Sequence, residues 1–170
     1  MTISMSSASV PVFKHMLTNL SHFLDKGAAH AEAKKFDPAN LLNYRLAPDM
    51  LPFTKQVQIA CDAAKLAVSR IGGIEAPKFE DTEASFPELK ARIQKTLDFL
   101  ASVPADKLDG TEDKDVSFPQ GGGTRTMKAQ AYLTTWALPN MFFHVTTAYA
   151  ILRHNGVEIG KRDYLVGASS

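Results

Sequence analysis

Apolar residues recur at helical spacing in four long segments, and the fourth, Ala129 to His154, is apolar around almost its whole circumference. At about 100° per residue, Lys128, Thr135, Thr146 and Arg153 fall on one line, the wet face of this helix. Leu133, Ala137, Asn140, His144, Ala148 and Ile151 fall opposite, so His144 points inward. Tyr132, Trp136, Leu138, Phe142, Phe143 and Tyr149 fill the flanks, as in a helix buried by several neighbours or by a second subunit. Pro139 cannot donate to the carbonyl of Thr135, which predicts a kink one turn before His144.

Caps and breakers delimit the rest. Ser9 as cap, with Pro11 in the opening turn, predicts a first helix to about Lys34 that buries Phe13, Met16, Leu17, Leu20, Phe23 and Leu24. His15 and His22 share a different face and read as a solvated or interface pair rather than a metal pair. Asp37-Pro38 opens a short helical turn, and Pro48 and Pro52 make a rigid elbow flanked by Arg45 and Asp49, two charges that read as an ion pair.

A second helix runs from Pro52 to the Gly72-Gly73 stop, with a core stripe of Phe53, Val57, Ala60, Ala64, Ala67, Val68 and Ile71. Gln56 falls inward on it, whereas Gln58, Asp62 and Lys65 fall on the polar side. Ser85, Pro87 and Glu88 form the start signal of a third helix, with Leu89, Ile93, Thr96, Leu97 and Leu100 on one side and its Lys and Arg residues on the other. Val116–Phe118 and Thr124–Met127 alternate about Gly121-Gly122-Gly123, which predicts a β-hairpin. Those glycines lack the Lys-Ser or Lys-Thr of a phosphate loop. Asn155-Gly156 closes the fourth helix and leaves a short tail.

The pattern is therefore all-α, and the 170 residues read as a single domain. A net charge of +1 with interspersed signs excludes the electrostatic footprint of a nucleic-acid binder. Lys128, Gln130, Asn140, His144 and Arg153 interrupt the apolar stretch too often for a membrane span. Cys61 lies at helical spacing with Val57, Ala64 and Val68 and reads as a small core residue. A lone cysteine and an N-terminus without basic or long apolar regions lead us to expect a cytoplasmic protein.

The segments NYRLAPDMLPFTKQVQIACDAAK, FEDTEASFPELKARIQKTLDFL and ALPNMFFHVTTAYAILRHNGVEIGKRDYL resemble a bacterial domain-of-unknown-function family of the DinB/YfiT-like superfamily. The resemblance covers nearly the whole chain. It implies a DinB-like four-helix bundle with a short β-hairpin before the last helix, often a homodimer. Better known members of that superfamily hold a divalent metal through one histidine of the second helix and an H-x-x-x-H pair of the fourth, and some use it for thiol transfer or hydrolysis. In this chain the fourth-helix pair becomes Asn140 and His144. The second-helix position holds no histidine: Gln58 aligns by local pattern, with Gln56 or Asp62 as alternatives.

Neutral amide oxygens bind zinc or nickel weakly. Two readings follow. In the first, a homodimeric bundle has lost the metal and binds a small ligand in a pocket of Gln56, Asn140 and His144. In the second, a metal-dependent enzyme of thiol transferase or hydrolase type uses His144 as ligand or general base, with a carboxylate such as Asp62 or Asp49 assisting.

Overall fold

The computed structural model describes residues 3–167, so the two ends of the single-domain reading lie outside the described residues. Four long helices form the bundle: α1 (Met5–Lys34), α3 (Phe53–Gly72), α4 (Phe86–Ser102) and α6 (Leu138–His154). Three short ones accompany them: α2 (Ala39–Leu42), α5 (Ala129–Tyr132) and α7 (Lys161–Val166). Around the bundle the order is α1, α4, α3, α6, with α1 diagonal to α3. Strands β1 (Asp115–Gln120) and β2 (Gly123–Lys128) pair antiparallel before α5. Gly121 and Gly122, both at positive φ (57° and 81°), make the two-residue turn whose twist suits a hairpin.

Local chemistry sets most boundaries where the sequence places them. The second helix opens after Pro52 and stops at Gly73 in the left-handed conformation (φ 65°). The third is capped by Ser85, whose hydroxyl accepts from Glu88 N–H, while Glu88 reaches back to Ala84 N–H. The first helix starts earlier than expected. Its cap is Ser4, in a reciprocal pair with Ser7, and Ser9 is buried inside the helix with its hydroxyl on the Met5 carbonyl. Pro11 then lies in the second turn.

The fourth segment is not one kinked α-helix. Leu133–Ala137 forms a π-helical turn between α5 and α6, immediately ahead of Pro139. A wider turn re-routes the hydrogen bonds that proline would otherwise break. The tail is also more ordered than a tail: α7 docks on α1 and α6. His15 Nε2–H donates to Leu165 C=O (2.8 Å), Asn19 to Tyr164 C=O (2.8 Å), and His22 to Asp163 (3.0 Å). The two histidines thus serve an interface within the chain. Gly167 (φ 74°) comes so close that a Cβ there would overlap Asn19 Oδ1.

Arg92 overturns the polar-face reading of the third helix. It is 2% exposed, and its guanidinium contacts Asp62, Asp81 and Glu83 at 3.0–3.2 Å together with the Glu80 carbonyl. Gln58 and Lys65 are buried as well: Gln58 donates to Glu83 (2.8 Å), and Lys65 pairs with Asp62 (2.9 Å) under the Phe79 ring. The segment between α3 and α4 folds back over this face and brings its carboxylates with it. At the elbow, Arg45 donates to the Met50 carbonyl rather than pairing with Asp49.

Lys55 and Arg92 hold the Asp81 carboxyl below its ordinary 3.8. Burial pushes Glu83 up, but Arg92 and Gln58 outweigh it and bring it below 4.5. Folding stability from both is therefore present above their ordinary values and is lost as pH falls through the lower folded ones. Arg92→Met, which strands these carboxylates beside a buried face, is expected to cost about 3 kcal/mol in urea denaturation at pH 7. At pH 3 the cost of the substitution shrinks as the wild type loses the same pairs.

Candidate functional site

α3 carries small residues, Ala60, Ala64 and Ala67, along the stripe that faces the core, so large side chains of α6 can approach its backbone. Met141, Val145 and Ala148 of α6, the helix that α3 contacts most extensively, are fully buried. One polar pair interrupts this contact: His144 Nδ1 lies 2.7 Å from Gln56 Oε1. Gln56 is 1% exposed, and its amide nitrogen donates to the Leu51 carbonyl at 2.9 Å.

This chain of bonds fixes the protonation of the histidine. A carbonyl only accepts, so the group facing Leu51 is the NH₂ and the group facing His144 is the oxygen. Nδ1 must then carry the proton, which leaves the Nε2 lone pair as an acceptor with no protein partner among the described residues. Burial lowers the pKa of His144 from its ordinary 6.5, so the neutral ring is favoured. The ring of Phe143, 55% exposed, stands edge-on to the imidazole with centroids 5.3 Å apart. Leu46 and Leu51 are two further exposed apolar side chains of the elbow leading into α3.

The other sequence candidates go elsewhere. Gln58 belongs to the Arg92 cluster. Asp62 is half-buried and is neutralised by Arg92 and Lys65. Asn140 does not join His144 and Gln56. With Asp62 it lines a cavity of about 120 Å³ further along the α3–α6 groove, together with Ile59, Ala63, Arg70, Tyr132 and Trp136. Asp49 is exposed in the elbow. Cys61 is fully buried, and burial pushes its thiol up to about 12, which suits a core residue and not a nucleophile.

The donor set does not fit a transition metal. Of the groups at the expected ligand positions, Gln56 and Gln58 spend their amides on Leu51, His144 and Glu83, Asn140 faces a different cavity, and His144 offers a single nitrogen. Among the described residues no three His, Cys, Asp or Glu side chains converge in a way that could hold an ion.

Sequence reasoning missed Arg70, Tyr132 and Trp136 as groove residues. Arg70 donates to the Tyr132 hydroxyl at 3.0 Å and lies over the Phe118 ring of the hairpin, 5.5 Å from its centroid. Trp136 packs tilted against Phe118, with ring centroids 5.0 Å apart, and the Arg125 guanidinium lies 5.4 Å from its ring centroid. Tyr132 and Trp136 carried one signal, membership of the interrupted fourth segment, and Arg70 of α3 carried none, since the hairpin and the π turn bring the three together.

A bundle with this groove is of DinB type. A crystal structure of a DinB family member from Shewanella denitrificans superposes with a TM-score of 0.89 at 42% identity, covering 94% of this chain and 90% of that one. Residues 5–165 match the model of a domain of unknown function, DUF1993. The chain belongs to that family. Comparison with curated proteins gives no match.

The bonding predicts an imidazole titration, followed by ¹⁵N NMR, with a midpoint below 6.5 and the proton of the neutral ring on Nδ1. Because the folded pKa is lowered, the unfolded chain binds more protons between the two values. The contribution of His144 to stability is present above about 6.5 and falls as pH drops toward the folded value. Gln56→Leu should release the tautomer, and a wild-type ring carrying its proton on Nε2 would rule out the relay.

Proposed function

We propose that the chain is a small-ligand-binding bundle protein, working as a homodimer, in which the groove between α3 and α6 uses hydrogen bonds where metal-bearing relatives use coordination. The observation that carries this reading is the relay from the Leu51 carbonyl through Gln56 to His144. It holds a neutral imidazole with one lone pair facing outward, ready to accept from a hydroxyl or amide of a ligand. Exposed Leu46, Leu51 and Phe143 supply apolar surface suited to a ligand or to a second copy of the chain.

One feature favours the alternative, a metal-dependent enzyme of thiol transferase or hydrolase type. A histidine whose Nδ1–H is oriented by an oxygen has the outer-shell support that metal-ligating histidines commonly have. No co-ligand converges on it among the described residues, and for that reason we place this reading second.

Elemental analysis of the untagged protein, followed by zinc, nickel and manganese titration of wild type and His144→Ala, separates the two. Ligand binding without metal predicts no stoichiometric ion in either protein and only weak, His144-independent uptake. Near-stoichiometric metal that disappears with His144→Ala would overturn the metal-free reading and revive the enzyme reading, to be followed by assays for thiol transfer and hydrolysis. Sedimentation of the same samples checks the homodimer.

A further inference from the structure

The cavity beside the π turn has features that neither His144 nor the core requires. Arg70 is a guanidinium with no carboxylate within ion-pair distance among the described residues. One of its nitrogens donates to Tyr132, and the remaining N–H groups have no protein acceptor there. Tyr132 is 2% exposed, and its hydroxyl oxygen is taken by Arg70, yet its own proton has no acceptor among the described residues. Asn140 lines the same space, its amide without a hydrogen-bond partner among the described residues, and the indole of Trp136 forms part of the wall.

Three donor side chains thus line one small space beside an aromatic side chain, and among the described residues no acceptor answers their remaining N–H and O–H groups. The unpartnered atoms of Arg70 and Asn140 are not sealed from solvent, so they can exchange water for a ligand acceptor, and an arginine fork suits a planar oxyanion. Asp62 lies on the same lining. Its charge is balanced by Arg92 and Lys65, but it disfavours a dianion such as phosphate over a monoanion.

We infer that this cavity binds a small carboxylate: Arg70 and the Tyr132 hydroxyl hold the carboxylate oxygens, Asn140 donates from the side, and the apolar body lies against Trp136. This deepens the ligand-binding reading of the α3–α6 groove and rests on it. At about 120 Å³ the cavity takes a group near the size of a benzene ring, the rest of a larger ligand extending along the groove toward His144.

Trp136 is the one tryptophan of the chain, so its fluorescence, excited at the red edge of its absorption, reports this cavity directly. Benzoate, with benzamide as its neutral isostere, is the probe. Benzoate is expected to change Trp136 emission saturably, with benzamide at least tenfold weaker. Arg70→Gln should weaken benzoate at least tenfold. Arg70 also packs on the hairpin, so Asn140→Asp serves as a second variant. It places a like charge at a half-buried position without removing a core contact and should weaken benzoate comparably while circular dichroism stays unchanged.

Equal binding of the two probes, or benzoate affinity untouched by Asn140→Asp, would overturn the inference. Phenol, a neutral donor, is titrated in parallel against the His144 imidazole resonances. Phenol shifts without a Trp136 response to benzoate would sink the carboxylate assignment alone. Silence from both probes would sink the groove reading with it.

Discussion

The contact between α3 and α6 is the constraint on which the rest of the structure turns. Alanines along α3 let the α6 side chains reach its backbone, and a seam so tightly filled leaves a polar group only two options, a partner or the outside. Gln56 and His144 take the first option toward each other and the second at Nε2. Along the same helix pair, the side chains that do not meet across the seam leave a small groove. At its far end stand Ile59, Asp62 and Ala63 of α3, opposite Trp136 of the π turn and Asn140 of α6.

Legibility followed the range of the interactions. Helix starts and stops governed by one or two neighbouring residues, at Pro52, Gly73, Ser85 and the Gly121-Gly122 turn, were readable because the physics is local. Ser4 was missed because Ser9 and Pro11 imitate a start signal, although the longer helix is compatible with both. The error at Arg92, Gln58 and Lys65 is of another kind. A helical wheel assigns a face but does not say what covers it, and here the segment after Gly73 returns with Asp81, Glu83 and Phe79 to neutralise and cover three polar side chains that would otherwise face water.

The groove divides in the same way. Gln56 and His144 lie on inward arcs of their own helices, and the bundle brings them together as such arcs are brought together. Asn140 lies one turn from His144 and shares its side of an ideal helix, yet it lines a different space. Arg70 and Tyr132 meet only because the hairpin folds against α3 and Phe118 shelves the guanidinium. Neither circumstance has a short-range signature. The resemblance implies a site between the second and fourth helices, and at the positions it points to this chain carries Gln56, Gln58, Asn140 and His144.

The π turn at Leu133–Ala137 gives the groove two registers. A π turn amounts to one extra residue accommodated within a helix, so everything before it is offset by roughly 100° from the position a continuous α-helix would impose. A lineage that deleted a single residue there would swing Tyr132 away from Arg70 and leave His144 where it is. The two ends of the groove can therefore diverge by insertion and deletion independently of one another, each keeping its own chemistry while the bundle between them stays unchanged.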